Sequence, residues 1–189
     1  MNKAFLKEYV KPSAVLLGIC LAVSLALAAA NLVTKDRIAS LNEQAKLDAL
    51  ASVCPNASFE PKEGEIPHYL AIGQDGKPAA LIFNKTAKGY GGTVEVMVAV
   101  WKNEVQGVAI VDVSSETVGL GQKASESEFY GQYVGKSAPV GVNKTAASDT
   151  EIKAITGATI TSKAITEAVN AALNDYQTLT DGVDGYGKE

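Results

Sequence analysis

The stretch Thr156-Gly157-Ala158-Thr159-Ile160-Thr161-Ser162 alternates hydroxyl-bearing residues with very small ones, directly before a strongly apolar helical pattern. A helix N-terminus presents unpaired N–H groups and the positive end of the helix dipole, which together favour a phosphate. Gly157 and Ala158 leave room for a bulky partner to approach the backbone, and Thr156, Thr159 and Thr161 supply hydroxyls around it. The same pattern also describes an ordinary helix cap without any ligand, because Ser and Thr are favoured there in either case.

A second segment, Glu116-Thr117-Val118-Gly119-Leu120-Gly121-Gln122-Lys123, follows a run that reads as a strand. Two glycines bracket Leu120, so the backbone turns sharply and lifts the leucine out. Such a loop can clasp a flat ring between backbone amides and an aliphatic cover. An ordinary Gly-rich turn after a strand has the same signature. A third segment, Gly89-Tyr90-Gly91-Gly92, precedes another strand and reads equally well as a loop.

Other chemistries find little support. His68 is the single histidine, and Cys20 and Cys54 form neither a CxxC pair nor a Cys/His cluster. Zinc, haem-attachment and Cys- or Ser-His hydrolase sites are therefore not indicated, and no residue is assigned as catalytic or as a metal ligand. A net charge of −4 without a Lys/Arg run argues against nucleic acid as a partner. Glu126 and Glu128 with Lys123 read as a solvated group. Trp101 and Tyr90 read as packing aromatics, and His68, beside Pro67 at a strand start, as an exposed or satisfied loop residue.

The elements that must position these segments follow from the hydropathy pattern. Residues 1–11 carry Lys3, Lys7 and Lys11, and residues 12–34 hold no charge at all. At about 1.5 Å per residue that uncharged run spans roughly the 30 Å of a bilayer core, so it reads as a transmembrane helix. A signal-peptide core is shorter, although Ala26-Leu27-Ala28-Ala29-Ala30 resembles a cleavage site. A lipid-modified Cys20 is disfavoured by the bulky Ile19 before it. Three bases ahead of the span against Lys35 and Arg37 behind it place the N-terminus in the cytoplasm and the remainder outside.

Residues 35–55 read as an amphipathic linker helix, with Ile38, Leu41, Ala45 and Ala49 on one face, ending near Val53-Cys54-Pro55. Residues 56–67 read as a loop. Residues 69–72, 79–84, 93–101 and 105–113 read as roughly four antiparallel strands, with Asp75-Gly76 and Lys102-Asn103-Glu104 in turns. Ser125 with Glu128 suggests a capping box. Thr161 or Ser162 can cap a last helix whose stripe is Ala164, Ile165, Ala168, Val169, Ala172 and Leu173. The expected class is α+β: one N-terminal transmembrane helix, then a twisted antiparallel sheet with packed helices over residues 56–179, and a disordered tail at 180–189.

Taken together, the three segments resemble one family. Thr156-Gly157-Ala158-Thr159 matches the [Ser/Thr]-Gly-Ala-Thr flavinylation motif of FMN-binding domains. Residues 116–121 are similar to that family's Glu-Thr-Pro-Gly-Leu-Gly segment, and residues 89–92 to its Gly-Tyr-x-Gly segment. The order agrees, and a single membrane helix precedes them all. Within the family the chain resembles the G subunits of Rnf electron-transport complexes, with the C subunits of sodium-pumping NADH:quinone reductases second.

The resemblance implies FMN joined by a phosphoester to Thr159, installed outside the membrane by a flavin transferase, with Thr156, Gly157, Ala158 and Thr161 around it. It implies that Glu116, Thr117, Leu120, Gly121 and Lys123 line the isoalloxazine site. It also implies an electron carrier among other subunits of a membrane complex coupling ferredoxin:NAD⁺ electron transfer to Na⁺ or H⁺ translocation. Two positions depart from the family pattern: Val118 replaces Pro, and Lys153 stands where many members carry Asp. A flavin-free anchored binding or assembly module is the alternative from a different class.

Overall fold

A computed structural model describes residues 9–145 and 148–181. The chain divides into two compact units, Met1–Gln44 and Ala45–Glu189. Most of the expected cytoplasmic segment, including Lys3 and Lys7, and the expected disordered tail beyond Asp181 lie outside the described residues.

Helix α1, Lys11–Val53, runs through both the expected span and the expected linker without a break. Within the first unit its apolar side chains are exposed: Leu16, Leu17, Leu25 and Leu27 are all more than 60% exposed. A helix of this length with such an apolar stretch is able to cross a bilayer. The helix stops at Val53, one residue before the Cys54-Pro55 pair that resists continuation.

The second unit is built on a five-stranded antiparallel meander: β1 (Ser58–Lys62), β2 (His68–Ile72), β3 (Pro78–Lys88), β4 (Thr93–Trp101) and β5 (Glu104–Asp112), hydrogen-bonded in that order. The β4–β5 turn places Lys102 at φ 52° and Asn103 at φ 64°, as a two-residue hairpin loop of matching twist requires. Both sheet faces are covered, so β4 is buried at Val94 and again from Val96 to Val100.

One face packs on α3, Thr159–Thr180, whose expected stripe is buried throughout and is extended by Tyr176. Leu81, Phe83, Val94, Val96, Val98 and Val100 meet it there. The opposite face carries small side chains, Ala71, Ala80, Ala99 and Ala109, which receive Ala49, Leu50 and Val53 from the end of α1. Gly107 completes that floor: a Cβ there would stand 2.6 Å from the carbonyl oxygen of Val53.

Four local expectations are corrected. A fifth strand, β1, lies inside the expected loop; only Phe59 is half-buried, and Pro61 and Lys62 suit an edge strand that shows no alternating pattern. A two-stranded parallel pair, β6 (Gly141–Asn143) and β7 (Glu151–Lys153), also forms, in strands of three residues that carry no periodic signal. No capping box forms at Ser125. Its hydroxyl donates to Gln122 O instead, and the short helix α2, Ser127–Tyr130, opens at Glu126 without a side-chain cap. Finally, α3 starts at Thr159, two residues before Thr161 and three before Ser162. Thr161 and Ser162 lie inside its first turn, their hydroxyls taken by other partners.

Candidate functional site

The sheet and α3 bring the three singled-out segments to one place. The β3–β4 connection is a tight turn in which Gly89 N–H donates to Gly92 O at 2.8 Å. After β5 the chain turns through Glu116, whose N–H donates to Val113 O, and the following loop closes with Leu120 N–H on Thr117 O. The third segment leaves β7, turns at Gly157 with φ +82°, and enters α3.

These segments enclose a cavity of about 520 Å³ lined by Tyr90, Glu116, Thr117, Leu120, Gly121, Gly157, Ala158, Thr159, Ile160 and Thr161. Eight of the ten residues singled out in the sequence therefore share one cavity. The other two, Thr156 and Lys123, line a second cleft of about 230 Å³ together with Glu126, Glu128, Gln132 and Lys153.

Burial divides the first cavity into a floor and a mouth. Glu116 and Thr161 are 4% and 1% exposed and form the floor. The Thr161 hydroxyl donates to Glu116 Oε2 at 2.6 Å, and the Gly91 N–H donates to Glu116 Oε1 at 3.1 Å. Thr159, the first residue of α3, is exposed at the mouth. Tyr90, Leu120 and Ile160 surround it, 71%, 42% and 53% exposed. Tyr90 is thus a mouth residue and not the packing aromatic its sequence suggests; a ring held out from a Gly-rich turn has no core to enter. Ile160 escaped the sequence reading. Its signal is that it falls off the apolar stripe of α3, among hydroxyl residues, where solvent would favour a polar side chain.

Ala158 occupies the N-cap position of α3 and makes no side-chain capping bond. The first backbone N–H groups of this 22-residue helix are therefore left without a side-chain cap at the cavity. Ser162 instead ties the approach: its Oγ donates to Ala158 O and accepts from the Ile155 N–H.

Comparison with known proteins accounts for this convergence. Residues 89–174 match the model of the FMN-binding domain, a span that begins at the Gly89 turn and ends within α3. The chain is 33% identical to the G subunit of the proton-translocating ferredoxin:NAD(+) oxidoreductase complex of Clostridium ljungdahlii, over 86% of this chain and 89% of that one. It is 34% identical to the G subunit of the Na(+)-translocating ferredoxin:NAD(+) oxidoreductase complex of Acetobacterium woodii, over 92% of this chain and 94% of that one. The chain belongs to this family of G subunits. Among solved structures, the C subunit of the Na(+)-translocating NADH-quinone reductase from Parabacteroides distasonis superposes with a TM-score of 0.55 at 27% identity, covering 62% of this chain and 64% of that one.

The matched FMN-binding domain contains every residue that lines the cavity, and those residues suit that cofactor. The volume lies in the range of roughly 300–1,000 Å³ usual for cofactor pockets. Leu120, Ala158, Ile160 and Tyr90 offer apolar surface for a flat ring, while the uncapped end of α3 offers N–H groups for a phosphate.

Proposed function

We propose that this member of the G-type family is an electron carrier in which Thr159 holds FMN through a phosphoester, within a membrane complex that couples ferredoxin:NAD⁺ electron transfer to Na⁺ or H⁺ translocation. The observation that carries this reading is the position of Thr159: an exposed hydroxyl at the first residue of an uncapped helix, on the rim of a cavity of cofactor size. The relatives' names supply the complex and its two redox partners.

Bound FMN supplies reversible one- and two-electron chemistry; what the chain supplies is placement. The first turn of α3 would hold the phosphate, and Gly157 and Ala158 would let it approach the backbone. Leu120, Ile160 and Tyr90 would line the ring at the cavity mouth, where an electron carrier needs access to neighbouring donors and acceptors. Thr117 and Gly121 complete the wall, and Lys123 and Thr156 flank it from the second cleft. No general base or nucleophile beyond Thr159 is required, because a carrier transfers electrons without remaking a substrate.

Attachment balances with FAD as donor. The Thr159 oxygen would bond to the FMN phosphorus as the phosphoanhydride of FAD breaks, with AMP leaving and the hydroxyl proton passing to solvent. A dedicated transferase performs this step outside the membrane. A covalent tether suits that location, since a dissociated flavin there has no pool to replace it. Residues 12–34 cross the bilayer with the N-terminal 1–11 in the cytoplasm, 35–55 connect, and 56–179 bind flavin on the outer face.

In-gel flavin fluorescence and intact mass of the full chain, co-expressed with an active flavin transferase, test the proposal. The wild type is expected as a fluorescent denatured band, heavier by one FMN less one water, and Thr159→Ala as a bare chain. A bare wild-type chain would overturn the flavoprotein reading and leave a flavin-free anchored module.

A further inference from the structure

Glu116 belongs to the segment expected to contact the flavin ring, yet both of its oxygens are occupied within the protein. Oε1 accepts from the Gly91 N–H and Oε2 accepts from the Thr161 hydroxyl. The side chain is 4% exposed and enclosed by glycines. A Cβ on Gly89 would stand 2.2 Å from Oε1, and a Cβ on Gly121 would stand 2.6 Å from Oε2. Two of the glycines near this loop are therefore the space in which the carboxylate sits, so the glycine pattern and the glutamate form one arrangement.

The two bonds join segments that are far apart in sequence. One reaches 25 residues back to the β3–β4 turn and the other 45 residues forward to the first turn of α3. Thr161 lies two residues beyond Thr159 in that same turn. A hydroxyl donating at 2.6 Å to a carboxylate is short and belongs to the stronger class of hydrogen bond, and burial keeps water from competing for it.

We propose that Glu116 is a positioning residue: through Gly91 and Thr161 its buried carboxylate fixes the first turn of α3, and with it Thr159, against the Tyr90 and Leu120 loops. The inference rests on the flavin reading for its purpose, since what is held in place is the attachment hydroxyl and the walls of the cavity. A pre-set wall binds its ligand without first ordering three loops, which lowers the cost of binding.

Amide hydrogen exchange of the full chain in detergent, prepared without flavin, tests the tie directly. Glu116→Ala and Thr161→Val are each expected to speed exchange about tenfold or more in residues 89–92, 117–121 and 158–162, since each removes a hydrogen bond to a charged group. Exchange in β4 should stay at the wild-type rate. Glu116→Gln is expected to restore protection, because its amide oxygen still accepts from Gly91 and its amide nitrogen can donate to Thr161. The same variants co-expressed with transferase report the fraction of chain carrying FMN mass, expected to fall in Glu116→Ala and to recover in Glu116→Gln.

Unchanged exchange in the three segments would overturn the proposal, and so would acceleration spread equally through β4. If Glu116→Ala does not fold, Thr161→Val carries the same test from the other end of the bond. Loss of flavin from the wild type with the exchange pattern intact would remove the flavin reading and leave the tie standing.

Discussion

Leu120 lies against Gly157, so closely that a Cβ on the glycine would stand 3.1 Å from Leu120 Cδ2. The contact brings the ring-covering loop onto the turn that launches α3, and it depends on a residue at φ +82°. Gly157→Ala therefore meets two penalties at once, a left-handed backbone and a crowded leucine. Its expected cost is about 1–2 kcal/mol of stability. FMN loading should fall with it, because the turn carries Thr159. Gly64→Ala is the control, since a Cβ there meets nothing within 4 Å. Denaturant midpoints and intact mass of both variants check the prediction, and equal behaviour of the two would refute it.

The floor beneath the end of α1 makes a separate prediction. Val53 passes directly over Gly107 in β5, and the surrounding sheet positions are alanines. Gly107→Ala would place a methyl 2.6 Å from a backbone carbonyl that cannot rotate away. Overpacking of this kind costs about 1–3 kcal/mol. The loss should appear as a lowered unfolding midpoint of the full chain in detergent. Flavin loading of the folded fraction should not change, because Gly107 is not part of the cavity lining.

These two glycines also mark how far the sequence could be read. The Val-rich β4, the Lys102-Asn103 turn and the stripe of α3 are local patterns, so residue spacing alone locates them. The small-residue face opposite α3 is not local: Ala71, Ala80, Ala99 and Ala109 become one surface only after four strands pair. β1 and the β6–β7 pair fail for another reason, since a mostly exposed run of five and two runs of three carry no periodicity. The site divides the same way. Its three segments were legible as motifs, but no motif reports that Glu116 turns inward to Gly91 and Thr161.

Buried tyrosines set an alkaline limit on the fold. Burial pushes Tyr133 well above the ordinary phenol value of 10.0, and its hydrogen bond with Thr166 only partly offsets this. Tyr176 is raised in the same direction, again by burial, with the Lys102 N–H bond opposing. Each folded-state phenol keeps its proton at a pH where the unfolded chain has released it. Their stabilisation is thus complete below about pH 10 and declines as pH rises further. The Thr166 hydroxyl also has Ser162 O as an acceptor at 2.9 Å, so Tyr133→Phe strands no buried donor. The alkaline unfolding midpoint, followed by circular dichroism, should move to higher pH in that variant. A midpoint that stays or falls would show that other groups govern the transition.

The last prediction concerns Lys153, one of the two positions that depart from the resembling family's pattern. Lys153 is exposed on β7, where its N–H donates to Gln132 Oε1 at 2.8 Å and its carbonyl accepts from Gln132 Nε2. The backbone, not the side chain, fixes this residue, so Lys153→Asp should change stability by no more than about 0.5 kcal/mol. The side chain instead borders the second cleft, beside Thr156 and three residues before the attachment tetrapeptide. The family resemblance implies Asp at this position in many members, just ahead of the tetrapeptide that a transferase would have to reach. Lys153→Asp is therefore expected to raise the initial rate of FMN attachment with the unfolding midpoint unchanged. Time-resolved intact mass during co-incubation with transferase and FAD measures that rate. An unaltered rate would show that position 153 stands outside the surface the transferase reads, and would direct attention to Asp149 on the approach to β7.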